Sequence, residues 1–86
     1  MILKVFTVPN CGACEAVKEF LRQQGAAFEE MDVAGNFANL RQLRRLTFGR
    51  RVPVTVLADK VVEGDDIEAL KALLIHREGL DHESGS

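Results

Sequence analysis

The sequence predicts an α/β fold in the order β-α-β-α-β-β-α, a four-stranded mixed sheet with helices on both faces. Three observations carry this. Short apolar and β-branched runs recur along the chain. Between them the apolar spacing switches to that of helices. Late in the chain two such runs flank a two-residue turn signal, which reads as a hairpin.

Ile2 to Val8 is apolar and β-branched and is stopped by Pro9-Asn10, so it reads as a buried strand. Residues 11 to 24 change period: Cys14, Val17 and Leu21 share one stripe with Phe20 beside them, and Gly25 ends the helix. Ala27 to Val33 is the second strand, closed by Gly35-Asn36. Residues 37 to 47 form a second helix, with Leu40, Leu43 and Leu46 on one side and Arg41, Arg44 and Arg45 on the other; Phe48-Gly49 ends it. Pro53 opens a third strand, Val54 to Ala58, and Asp59-Lys60 turns it into a return strand at Val61-Val62. Asp65 is expected to cap the last helix, with Glu68 as its capping-box partner. Ile67, Leu70, Leu73 and Leu74 mark that helix, and His76, Arg77 and Gly79 close it. The first β-α-β is expected to be a right-handed parallel crossover.

At 86 residues the chain is one domain, assigned to residues 1–77, with 78–86 as a loose tail. The opening MILKVFTVPN is too short an apolar run for a secretory signal, and nothing approaches the roughly 18 apolar residues of a membrane span. A cytoplasmic, monomeric protein with no membrane partner is therefore expected. The net charge of −2 conceals a segregation: no acidic residue lies between Asp32 and Asp59, where Arg41, Arg44, Arg45, Arg50 and Arg51 fall. Five arginines without interleaved aromatics on an acidic chain make a poor nucleic-acid footprint, so nucleic acid is excluded as a partner. Arg50 and Arg51, next to Pro53, are placed to hold a carboxylate or an acidic partner.

The only cysteines, Cys11 and Cys14, lie within VPNCGACEAVK. A disulfide between them closes almost no loop and so removes little entropy from the unfolded chain. That spacing points to chemistry, with redox and metal binding as the two classes.

The element order, Cys11-Gly12-Ala13-Cys14 after the first strand, Val52-Pro53 before the third and Gly64-Asp65-Asp66 before the last helix resemble the glutaredoxin branch of the thioredoxin fold, over residues 1–77. The resemblance implies a small thiol–disulfide oxidoreductase, with Cys11 as nucleophile and Cys14 as resolving thiol, acting on protein or glutathione mixed disulfides. It implies a cis peptide before Pro53, with Val52 presenting its backbone to substrate. Gly64, Asp65 and Asp66 would receive the γ-glutamyl end of glutathione as co-substrate, and no bound cofactor or metal is expected. The expected partners are disulfide-containing proteins and a reductant, either glutathione or thioredoxin reductase. Val8 stands where glutathione-using members carry Lys or Arg, and Gly12-Ala13 where they carry Pro-Tyr; both favour the flavoprotein. Arg51 replaces the usual Thr before Val-Pro, and Glu63-Gly64 the usual Gly-Gly. The alternatives are a hydrogen-donor redoxin for ribonucleotide reductase and, in another class, a glutathione-dependent iron–sulfur or metal-binding dimer.

The residues suit that chemistry. Thiolate is the attacking species, and unpaired N–H groups with the positive end of a helix dipole favour it at Cys11. Such placements lower a cysteine pKa to about 3.5 to 7.5. Cys14, a turn deeper, is expected to stay a thiol until a mixed disulfide forms. Lys18, one turn beyond Cys14, is a candidate for favouring a nearby thiolate. His76 and His82 lie far from the cysteines in sequence.

Overall fold

The computed structural model describes residues 2–47 and 52–75. Its elements are β1 (Leu3–Thr7), α1 (Gly12–Gln23), β2 (Glu29–Asp32), α2 (Phe37–Leu46), β3 (Val54–Leu57) and β4 (Lys60–Glu63), followed by helix α3 over 67–75. The sheet order is β2-β1-β3-β4. β1 pairs parallel with β2 and antiparallel with β3, and β3 pairs antiparallel with β4. The four-stranded mixed sheet is as expected.

Strand alternation divides the core in two. Leu3 and Val5 of β1, Leu57 of β3 and Val62 of β4 pack with Val17 and Leu21 of α1 and with Leu70, Leu73 and Leu74 of α3. Phe6, Val54 and Val56 point the other way and pack with Val33 and with Leu43 of α2. One face of the sheet thus carries α1 and α3, and the other carries α2. β1 and β3 are covered on both faces, so β3 is buried along its whole length.

The ends of the elements depart from expectation in informative ways. β1 and β2 are shorter than the segments expected for them, and Ile2 is exposed. α1 ends in a Schellman motif: Gly25 N–H donates to the Arg22 carbonyl at 3.0 Å and Ala26 N–H to the Leu21 carbonyl at 2.9 Å. Gly25 supplies the φ of +68° which that closure needs. The hairpin turn is Ala58-Asp59, not Asp59-Lys60, because β4 already begins at Lys60, opposite Leu57. Ala58 takes the left-handed φ of 56°. The register is held by buried Val62 facing buried Thr55 and by Gly64 N–H donating to the Pro53 carbonyl at 2.7 Å.

The last helix is capped by Asp66, whose carboxylate accepts the Ala69 N–H at 3.1 Å. The expected Asp65–Glu68 capping box therefore does not form. With the cap one residue later, the third helical position is Ala69, and Glu68 instead lies 3.7 Å from Lys71. Leu46 is 41% exposed, since the helix turns it away from Leu43, and buried Thr47 takes its place inside. Phe48-Gly49, Arg50, Arg51, the helix stop at His76, Arg77 and Gly79, His82 and the tail 78–86 lie outside the described residues. Among the described residues no helix is long and apolar enough to cross a membrane.

Candidate active site

Register alone brings three separate segments to one end of the sheet. Phe6 pairs with Val54, so Pro53, just before β3, lies level with the end of β1. Val54 pairs with Glu63, and the Gly64–Pro53 hydrogen bond extends that ladder by one rung. Beyond Thr7 the chain runs through Val8, Pro9 and Asn10, the last with φ of 57°, and enters α1 at Cys11. Cys11, Val52-Pro53 and Gly64-Asp65-Asp66 are thus three consecutive loops around a common edge. The Val52–Pro53 peptide is cis. Pro53 is buried, and Val52 is half-buried beside it.

Cys11 is the N-cap of α1, with extended backbone (φ −114°, ψ 107°). Its Sγ accepts the Cys14 N–H at 3.1 Å, and its carbonyl accepts the Glu15 N–H at 3.1 Å. In a typical helix that side-chain acceptor is an oxygen of Ser, Thr, Asp or Asn. Here a sulfur meets the unpaired donors of the first turn and the positive end of the helix dipole. Cys11 and Cys14 are joined as a disulfide with Cα atoms 5.2 Å apart, within the ordinary range for such a bond.

The two sulfurs occupy unequal surroundings. Cys14 is fully buried, one face of α1 placing it in line with Val17, Lys18 and Leu21. Cys11 is only half-buried. Between them, Gly12 is exposed, and no atom lies within 4 Å of where its Cβ would stand. At Gly12, next to Cys11 in the chain, the surface is therefore open.

Lys18 sits a turn beyond Cys14, buried, with its ammonium bound to two carboxylates: Glu15 Oε2 at 2.6 Å and Glu30 Oε2 at 3.0 Å. Glu30 also accepts the Thr7 hydroxyl at 2.9 Å. The hydrogen bonds from Glu15 and then Glu30 hold the Lys18 pKa above its ordinary value. The bond from Lys18, followed by that from Thr7, holds the Glu30 carboxyl below its own. Sequence reading singled out Lys18 but missed Thr7 and Glu30. The available signal was strand alternation, which puts Glu30 on the α1 side of β2, as it puts Thr7 on that side of β1.

Asp66 spends its carboxylate on the helix cap, whereas Asp65 is exposed with no described partner. Among the described residues, no group of three or more His, Cys, Asp or Glu is arranged to hold a metal ion.

Comparisons with known proteins agree with this arrangement. Residues 3–62 match the glutaredoxin family model. An uncharacterized glutaredoxin-like 8.6 kDa protein of the rubredoxin operon in Clostridium pasteurianum is 25% identical over 63 residues, 73% of this chain and 84% of that one. Among solved structures, the thioredoxin-like protein BC3987 is similar with a TM-score of 0.78 and 37% identity, over 83% of this chain and 97% of the other. NrdH-redoxin from Escherichia coli, a glutaredoxin-like protein with a thioredoxin-like activity profile, gives 0.76 and 25% over 85% and 95%. A cysteine pair one helical turn apart, set on a thioredoxin-like sheet and matched over most of its length, has one reading: the chain belongs to the glutaredoxin family of thiol–disulfide oxidoreductases.

Proposed function

We propose that the chain is a dithiol reductant of protein disulfides, with Cys11 as the attacking sulfur and Cys14 as the resolving one. The observation that carries this is the inequality of the pair: a half-buried cysteine capping a helix and a fully buried one a turn behind it. In the reduced protein the Cys11 thiolate would attack one sulfur of a substrate disulfide, forming a mixed disulfide and expelling the other sulfur as thiolate. Cys14, losing its proton, then attacks Cys11 Sγ. The second substrate sulfur leaves as thiolate and takes up a proton. Two electrons have passed to substrate, and the Cys11–Cys14 disulfide remains. Val52 and Pro53, level with the end of β1 at the same edge of the sheet, would align an extended substrate by its backbone. Cys14→Ser is expected to accumulate a mixed disulfide with a protein substrate, seen as an adduct by mass spectrometry, while Cys11→Ser forms none. Adducts on both variants, or on neither, would overturn the assignment.

The reductant that fits best is a thioredoxin-reductase-type flavoprotein, with glutathione a weaker donor. Glutathione brings carboxylates, yet Val8 carries no charge, and buried Lys18 is already bound to Glu15 and Glu30. The rim at Glu63, Asp65 and Asp66 is acidic. The likeness to NrdH-redoxin supports the same reading. In an NADPH-coupled assay, re-reduction by thioredoxin reductase should exceed that by glutathione with glutathione reductase by about tenfold or more, a difference of about 1.4 kcal/mol in the barrier. The opposite ratio would return Asp65 and Gly64 to the role of glutathione site.

A further inference from the structure

Across the sheet from α1, helix α2 carries a stripe that the redox chemistry does not use. Phe37, Arg41 and Arg44 stand at i, i+4 and i+7, on one line of the helix surface. Phe37 is 83% exposed, and with Leu40, Arg41 and Arg44 it lines an open depression of about 470 Å³. Among the described residues neither arginine, nor the exposed Arg45 beside them, has a carboxylate within ion-pair distance. The ion pairs found there all join residues of α1, β2 and α3. No acidic residue lies between Asp32 and Asp59 to supply one locally.

We propose that this stripe is a docking surface for an acidic protein segment that places an apolar side chain against Phe37. An exposed aromatic alone is ordinary on a protein surface. Here the ring shares one line of the helix with two guanidinium groups that have no carboxylate partner among the described residues, on a chain of net charge −2. That is the composition of an interface anchor with a complementary charge requirement. The stripe also begins at the redox end of the molecule: Asp32 pairs with Thr7, and Val33 N–H donates to the Thr7 carbonyl, so the chain enters α2 from that edge. A protein held there can bring a disulfide to Cys11. That the docked partner is also the redox substrate rests on the function proposed above; the docking does not involve the cysteines.

The test titrates the full chain with a cysteine-free peptide bearing Glu and Leu at amphipathic helical spacing, followed by amide NMR shifts and calorimetry. Binding is expected with shifts centred on 37–45 and lost near 1 M salt, where screening acts over about 3 Å. Arg41→Glu with Arg44→Glu should weaken it at least tenfold, Phe37→Ser to a similar extent, and Arg41→Lys with Arg44→Lys should retain most of it. The surface is refuted by equal binding of a Lys/Leu peptide of the same pattern, by binding indifferent to the charge reversals, or by no binding. Preferential binding to phosphatidylglycerol vesicles, or a Phe37-dependent dimer in sedimentation, would replace the partner with a membrane or a second copy. Reduction of a small disulfide such as hydroxyethyl disulfide, measured alongside, separates the two readings. Turnover without peptide binding sinks the docking surface, and peptide binding without turnover sinks the redox assignment.

Discussion

Two helix starts in this molecule use the same geometry with different atoms. At α2, Asn36 Oδ1 accepts the Asn39 N–H at 3.1 Å; at α1, Cys11 Sγ accepts the Cys14 N–H at the same 3.1 Å. Both capping residues have extended backbone and both satisfy a donor three residues on. Asparagine is among the best N-caps, and cysteine is not among the preferred set. Where only the helix matters, the chain uses the strong acceptor. At α1 it places a weaker acceptor, which under the proposed function is the attacking nucleophile, in the same field of donors. If Cys11 is the attacking sulfur, as proposed, capping at α1 is subordinate to reactivity, and the two sites should separate cleanly on mutation.

The largest effect is expected at the reactive cap. Cys11→Ser should lower disulfide turnover by on the order of 10³-fold or more, the scale of removing a nucleophile. Its thermal stability, compared with the reduced wild type, should not fall, because serine is itself a preferred cap. A marked loss of stability would mean that Cys11 is chiefly structural. The converse substitution, Asn36→Ala, should cost about 1 kcal/mol of stability. In a domain of this size that lowers the melting temperature by about 4–8 °C. Turnover of a small disulfide should stay within about twofold. If Asn36→Ala instead abolished turnover, the division between structural and reactive caps would fail.

The element order was legible because apolar period and punctuation agree at each step. Leu21-to-Gly25 shows how fully a helix end can be read, since glycine there has one physical use. The cysteine pair and Val52-Pro53 were legible through their spacing and family likeness. The misses have a common origin in local ambiguity. Asp65 and Asp66 are equally able to cap, and only the start of backbone hydrogen bonding, Leu70 N–H to the Asp66 carbonyl at 3.0 Å, selects the second. Ala58 is a poor advertisement for a turn, and the register opposite Thr55 and Val62 imposes it. Lys18 stands out in the sequence as a candidate for favouring a nearby thiolate because it lies one turn beyond Cys14. Its ion pair with Glu30, twelve residues away, was not legible, because the facing of that strand becomes plain only once β2 is docked parallel to β1.

That last pairing extends the comparison from caps to charges, and here the expected effect is the smallest. On the α1 side Lys18 is buried against Glu15 and Glu30; on the α2 side Arg41 and Arg44 are exposed without a described partner. The Glu30 pKa is held below its ordinary 4.5 by the Lys18 and then the Thr7 hydrogen bond. Its share of stability is therefore present above that ordinary value and is lost as pH falls through the lowered one. The Lys18 pKa is held above 10.5, chiefly by Glu15. Its share is complete below 10.5 and is lost only as pH rises past the raised value. Glu30 is partly open to solvent, its side chain 43% exposed, so Glu30→Gln should cost no more than about 1 kcal/mol at neutral pH. The difference from wild type should shrink towards zero as the melting series is carried in acid through the lowered Glu30 pKa, because beyond it both chains present a neutral side chain at position 30. Arg41→Gln, with no paired carboxylate to strand, should shift stability by less than about 0.5 kcal/mol at every pH. A Glu30→Gln deficit that persisted unchanged in acid would show that the residue packs rather than pairs, and the contrast between the two sides of the sheet would then rest on burial alone.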